Sequence, residues 1–172
     1  IPHKANKGIL ELKSSELSAE KPITLEGEWE FYWKRFISPV EAARGNTPST
    51  YLKVPKPWNK AVIDGKKIGP FGYGTYHISI RLPENAPHLA LYIPNIASAA
   101  RVYAEETLLN SAGMLGTTRG ETTPAYLPRV VPLPKTKDGI MDITIQVSNF
   151  SHNHGGIWRS PLFGHIHAVY QE

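Results

Sequence analysis

Proline and glycine interrupt this chain so often that few stretches could sustain a long helix: 15 of one and 14 of the other are spread over 172 residues. The pieces between them are short, and several alternate apolar and polar residues with period two, as a strand that buries one face does. "HISIRL" places Ile78, Ile80 and Leu82 on one side and His77, Ser79 and Arg81 on the other. "HLALYI" aligns Leu89, Leu91 and Ile93, and "MDITIQVSN" aligns Ile143, Ile145 and Val147. "EWEFYW" groups Trp29, Phe31 and Trp33 opposite Glu28, Glu30 and Tyr32. Further strands are expected near residues 8–13, 50–54, 100–105, 128–133 and 163–170. One short helix is predicted in "SPVEAARG", with Ser38 as cap, Pro39 in the first turn, Glu41 completing a capping box and Gly45 ending it. Residues 116–128 have no period and read as a long loop. No repeat or linker divides the chain, and its length suits one domain spanning 1–172 with a core of its own. The expected fold is all-β: an antiparallel β-sandwich, and specifically a jelly roll.

Bulk properties remove several function classes. The formal charge is only +4, and Lys and Arg are scattered from Lys4 to Arg159 without a dense block, so no nucleic-acid partner is expected. The absence of cysteine excludes disulfides, thiolate metal sites and cysteine nucleophiles, while leaving the compartment open. No apolar run approaches the roughly 18 residues of a membrane span. The chain opens at "IPHKANKG" with neither a Met nor a signal peptide, as a mature or excised fragment would.

Several phrases then follow in a particular order. "LEGEWEFYW" (25–33) precedes "VPKPW" (54–58) and "GYGTYHISIRLP" (72–83); "ALYIPNIASAARVYAE" (90–105), "ITIQVSNFSHNHGGI" (143–157) and "PLFG" (161–164) come after. This order resembles a galactose-binding-like jelly roll and is similar to the N-terminal sugar-binding domain of glycoside hydrolase family 2. It more closely resembles the extracytoplasmic sensor domain of bacterial seven-transmembrane receptors with diverse intracellular signalling modules. The likeness runs from about residue 8 to 170. It implies a non-catalytic sensor of a small polar ligand, with carbohydrates as the expected class and no cofactor. It also implies a position on the periplasmic or extracellular side of a bacterial inner membrane, joined to transmembrane and cytoplasmic signalling regions. Ligand would shift a conformational or homodimer equilibrium that the membrane region passes to a cytoplasmic kinase or cyclase. There is one departure: such domains often carry Asn-Gly after the "VY" strand, and here Glu105 and Glu106 occupy that place.

The candidate site residues come mostly from "SNFSHNHGGIWRSPLFG" (148–164). His152 and His154 stand two apart, and His165 and His167 repeat the spacing. Clustered imidazoles are what zinc takes, but a site would need the two pairs to converge, and no metal is expected. Asn149 continues the inward row of Ile143, Ile145 and Val147, so its buried amide must find partners in the following loop or in a ligand. Gly155 and Gly156 permit a bend that presents His152, His154, Trp158 and Arg159, either to a ligand or to water. Trp58 plugs the end of the barrel or lines a pocket; Tyr76 fits either role. Arg101 and Tyr103 form a polar row with Glu105, opposite Ala100, Val102 and Ala104, that a ligand could contact across the sheet. Arg129 serves a salt bridge or an anion equally well.

Two other readings stand beside the sensor. One is a carbohydrate-binding module of a glycoside hydrolase, which needs only an aromatic platform. The other is a hydrolase, metal-assisted through the His-rich loop. Against the second, Glu105, Glu106 and Glu121 lie in turn-like settings where carboxylates are solvated. There is no G-x-S-x-G elbow, H-E-x-x-H motif or P-loop, and Asp64, Asp138 and Asp142 are too dispersed to predict calcium.

Overall fold

The computed structural model describes residues 3–136 and 138–172. The strands are β1 (Ile9–Glu11), β2 (Ile23–Thr24), β3 (Gly27–Trp33), β4 (Thr50–Val54), β5 (Val62–Ile63), β6 (Lys66–Lys67), β7 (Gly72–Arg81), β8 (Leu89–Ile93), β9 (Ala99–Ala104), β10 (Thr107–Ala112), β11 (Arg129–Pro132), β12 (Ile140–Asn149) and β13 (Leu162–His165); each expected segment contains one, and β2, β5, β6 and β10 are additional. The larger sheet runs β10-β9-β12-β7-β3-β4, with β1 alongside β7 in parallel. The smaller runs β11-β8-β13-β2, and β5 and β6 form a separate hairpin. From β7 onward the chain crosses repeatedly between the two layers, and apart from β1 the pairings within both sheets are antiparallel. This is an antiparallel sandwich of jelly-roll type.

The inward rows read from the sequence are the core. Trp29, Phe31, Tyr76, Ile78, Ile80, Ile143, Ile145 and Val147 from the larger sheet meet Leu91, Ile93, Val131 and Phe163 from the smaller. Each such side chain contributes about 1.5–3 kcal/mol on burial. Trp33 is only partly buried at the margin of this core.

The opposite face of the larger sheet is less exposed than its polar pattern implies. Residues 34–49, with helix α1 (Pro39–Ala43), fold over part of it. The Ile37 amide donates to Thr75 Oγ1 at 2.9 Å, the Thr75 hydroxyl donates to the Arg35 carbonyl at 2.8 Å, and Gln146 Nε2 donates to the Ile37 carbonyl at 3.0 Å. Tyr32, Ile37 and Ala42 are buried in that layer. Ser38 caps α1 by accepting the Glu41 amide at 3.2 Å, as expected; the Glu41 carboxylate accepts the Ser38 hydroxyl rather than closing the box on its amide.

Two expectations need correction. Residues 163–170 are not one strand: β13 stops at His165, and α2 (Ile166–Tyr170) follows, burying Ala168 and Val169. Residues 107–112, to which the sequence assigned no element, form β10, which pairs with β9 through a tight turn at Glu105 and Glu106. The hairpin survives without Asn-Gly because Glu105 itself takes the left-handed conformation, with φ 53°. Lys34, exposed at the end of β3, does the same with φ 57°. Since asparagine tolerates that region better, Lys34→Asn is expected to raise unfolding stability by about 0.5–1 kcal/mol, read as a small rise in the urea midpoint at constant m. Among the described residues no helix is long and apolar enough to cross a membrane.

Candidate ligand-binding surface

The surface forms where β12 ends and β7 begins. Asn149 sits at the end of the inward row of β12, fully buried. Its Nδ2 donates to the Pro70 carbonyl at 2.8 Å and the His152 carbonyl at 2.9 Å, and its Oδ1 accepts the His152 amide at 3.0 Å. Pinning the loop is therefore its role. Trp58 Nε1 donates to the same Pro70 carbonyl at 2.8 Å, and Asn59 brackets the loop by accepting the Gly155 amide at 3.1 Å and donating to the Asn153 carbonyl at 2.6 Å. Both glycines are demanded by close approach. A Cβ on Gly155 would lie 2.2 Å from Trp58 Nε1, and one on Gly156 would lie 2.2 Å from the Tyr76 hydroxyl, at a backbone φ of 85°.

The expected site residues fall into three places. Trp58 and Tyr76 are enclosed in the core, stacked with centroids 6.4 Å apart, and Phe31 packs 4.9 Å from Tyr76. A ligand has no access to them in this structure; Trp58 is a plug, and Tyr76 Oη accepts the Ile157 amide at 3.3 Å. Burial pushes the Tyr76 hydroxyl pKa up, with that amide opposing in part. Arg101 and Tyr103 lie on the outer face of β9, Arg101 exposed and Tyr103 half-buried, apart from the loop. Only His152, His154, Trp158 and Arg159 are brought together.

These four make a stacked array. The His152 ring lies 5.9 Å from Trp158 at 11°, His154 lies 6.0 Å from His152, and the Arg159 guanidinium sits 5.3 Å from the Trp158 centroid. Tyr126, from the long loop before β11, meets His152 edge-on at 6.3 Å. Nearby in the fold, Phe71 follows Pro70 and carries Arg119 at 5.4 Å from its ring; Phe71 and Tyr126 are 44% and 41% exposed. The Trp158 indole N–H and the Asn95 side-chain carbonyl are buried without a hydrogen-bond partner among the described residues. Tyr126, Phe71 and Arg119 escaped the sequence reading because their segments have no period.

The paired histidines have a local explanation. The His154 amide donates to His152 Nδ1 at 3.0 Å, and the His167 amide donates to His165 Nδ1 at 3.1 Å. In each pair the first ring caps the backbone two residues on. The pairs also sit at opposite ends of the smaller sheet: His165 pairs with Leu89, whereas Trp158 and its neighbours precede Leu162, which pairs with Tyr92. Among the described residues no three His, Cys, Asp or Glu side chains are placed to share a metal ion. Two of the carboxylates considered for catalysis, Glu121 and Glu105, are engaged where they stand. Glu121 accepts the Thr117 and Thr118 hydroxyls, and Glu105 accepts the Asp142 amide at 3.4 Å. Burial pushes the Glu105 pKa up; the Asp142 amide opposes this, and the neighbouring acids reinforce it.

A buried charge cluster was not foreseen. On the outer face of the larger sheet, His77 is 3% exposed, with Glu30 Oε1 2.5 Å from Nδ1 and Asp142 Oδ1 2.7 Å from Nε2. Ser79 donates to the same Asp142 oxygen at 2.6 Å. Burial alone would depress the His77 pKa, but the two carboxylates outweigh it and hold the ring at about 9. Burial likewise opposes ionisation of Asp142, yet hydrogen bonds from His77 and Ser79 leave its pKa lowered. Strand phase puts all three residues on a polar face, but the register that joins them is not written in any one strand.

No family model matches the chain, and no curated protein matches it. Its fold is found in solved structures. The β-glucuronidase from Ruminococcus gnavus in complex with uronic isofagomine aligns with a TM-score of 0.58 and 16% identity over 84% of this chain. Another structure of that enzyme with the same compound aligns at 0.59 and 14% over 91%. A GH2 β-galacturonidase from Eisenbergiella tayi bound to galacturonate aligns at 0.57 and 16% over 85%. The chain spans only 28%, 29% and 25% of those three chains respectively. At such identities the likeness establishes the sandwich fold alone.

Proposed function

We propose that this chain is a non-catalytic carbohydrate-binding domain that serves as the extracytoplasmic sensor of a bacterial membrane receptor. The observation that carries the binding reading is the array of His152, Trp158, Arg159 and Tyr126 on a loop held by Asn149. Sugars are matched by that chemistry: ring faces for stacking, with cationic and imidazole donors beside them for hydroxyls. The loop needs no further ordering, because buried bonds already fix it, and that lowers the entropic cost of binding. The sensor role rests on the resemblance in the ordered sequence phrases.

A second reading, an accessory carbohydrate-binding domain of a glycoside hydrolase, is favoured by the solved structures with this fold, which are such enzymes several times longer. The full-length protein separates the two. Seven apolar spans after the domain belong to the receptor, and a catalytic barrel belongs to the hydrolase.

Glycan-array screening tests the binding itself. Trp158→Ala is expected to weaken retention of the bound glycan about tenfold or more, with a smaller loss of melting temperature than truncation of the fully buried Trp58, since the side chain is only half-buried. A domain that retains no glycan, or a variant that binds as the parent does, overturns the reading.

A further inference from the structure

Scattered along the sequence, the cations of this chain are gathered by the fold around the aromatic loop. The segment before β5 runs antiparallel to that loop. The Lys56 amide donates to the Ile157 carbonyl at 3.0 Å and the Trp58 amide to the Gly155 carbonyl at 2.9 Å; Asn59 completes the pairing through its bonds to Gly155 and Asn153. Lys56 is thus bonded to the residue before Trp158. Lys60 follows the residue whose side chain is bonded between His152 and His154.

Beyond Lys60 the chain makes the β5–β6 hairpin. Asp64 and Gly65 form its tip with φ of 53° and 78°, and Val62 pairs with Lys67 and Ile63 with Lys66. The pairing continues to the base, where the Ile68 amide donates to the Ala61 carbonyl and the Gly69 amide to the Asn59 carbonyl, both at 3.0 Å. Ile63 and Ile68 pack on the core, so the arm is seated on the body, with Lys60, Lys66 and Lys67 exposed.

The charge balance of this surface is one-sided. Residues 53–70 and 148–160 hold six of the 19 Lys and Arg but only Asp64 of the 15 Asp and Glu, a net +5 against +4 for the whole chain. Glu26 reaches the end of the loop, where it accepts the Ser160 hydroxyl at 3.3 Å without pairing with Arg159. On the loop before β11, Arg119 and Glu121 offset each other. The ion pairs among the described residues lie elsewhere, at His3–Glu16 and around His77, so none has to break when an anion arrives.

We propose that this surface takes an acidic polysaccharide, a chain whose repeating sugar carries a carboxylate. The inference rests on the carbohydrate reading and names its ligand class. Sugar rings would stack on Trp158 and His152, while Lys56, Lys60 and Arg159 meet the carboxylates beside them. Lys66 and Lys67 extend the contact to further units. One exposed ion pair contributes little, so a charge repeated along the ligand is what makes such a patch effective. Cations alone would suit any polyanion; the stacked rings bonded into the same surface select a sugar.

Isothermal titration with a mannuronate hexamer and with its methyl ester separates charge from ring. The acid is expected to bind about tenfold more tightly at about 50 mM NaCl, and the difference should shrink at about 500 mM as salt screens exposed charges. The double variant Lys56→Gln/Lys60→Gln should weaken the acid about tenfold and leave the ester unchanged. Lys135→Gln, exposed on the connection into the opposite end of β12, should alter neither. Equal binding of acid and ester, a double variant that binds the acid as the parent does, or an equal loss in Lys135→Gln overturns the inference. So does equally tight binding of polyglutamate or of phosphatidylglycerol vesicles, which would assign the patch to polyanions or to a membrane. Retention of neutral glycans alone overturns this inference and spares the carbohydrate reading; retention of no glycan overturns both.

Discussion

Replacing His77 with alanine is expected to destabilise the fold by about 3–5 kcal/mol, the usual cost of leaving buried charge without its partner. The imidazolium stands between Glu30 of β3 and Asp142 of β12, so its removal leaves two carboxylates facing a cavity on the sheet. For a chain of this length the melting temperature should fall by roughly 6–20 °C. The pH dependence has a definite sign. The folded pKa, about 9, lies above the ordinary value of 6.5. Stability from charged His77 is therefore fully present below about pH 6.5 and lost as pH rises through about 9. The groups facing it are Glu30, Asp142 and, hydrogen-bonded to Asp142, Ser79 and the backbone-linked Glu105. On the acid side, the lowered pKa of Asp142 contributes stability above its ordinary 3.8, lost as pH falls through the folded value. Urea midpoints across this range should decline toward alkaline pH in the parent and lose most of that decline in His77→Gln. A variant as stable as the parent at pH 7 would show that the cluster is not a buried ionic lock.

Asn149→Ala is expected to cost about 3 kcal/mol. One amide side chain makes three hydrogen bonds with no solvent to replace them, and each orphaned buried group costs about 1–3 kcal/mol. The Pro70 carbonyl keeps Trp58 as a donor, so the loss concentrates on the His152 amide and carbonyl. The signature is therefore regional: amide exchange should accelerate at His152, Gly155 and Gly156 more than in β7 or β12. Carbohydrate retention should fall with it, because the stacked rings would lose their anchor. Asn149→Asp keeps the acceptor for the His152 amide but sets a buried carboxylate oxygen against the Pro70 and His152 carbonyls, so it should cost at least as much as alanine. A uniform change in exchange across the sandwich would refute the anchoring role.

The sequence disclosed what depends on one strand and hid what depends on two. The period of β7 and β12 marked the inward rows, and the same phase identified Asn149 as buried. It could not show that His77 would lie between Glu30 and Asp142, because pairing register is a property of the assembled sheet. Nor could it show that residues 34–49 would cover Thr75 and Gln146. The H-x-H spacing misled in a different way. Two residues is the reach from an imidazole Nδ1 to a backbone amide, so a local cap and a pair of metal ligands look alike in one dimension. At 166–170 five residues of "IHAVY" were too few for a helical period to outweigh an apparent alternation.

The central pair β7 and β12 has a mechanical consequence. Their ladder runs unbroken through ten register positions, from Arg81 and Ile140 at one end of the sandwich to Gly72 and Asn149 beneath the aromatic loop. At about 3.4 Å per residue it measures roughly 30 Å. Flanked by β3 and β9, this pair is a strut with no slack, so a load applied at either mouth of the sandwich tilts the whole body instead of being absorbed within it.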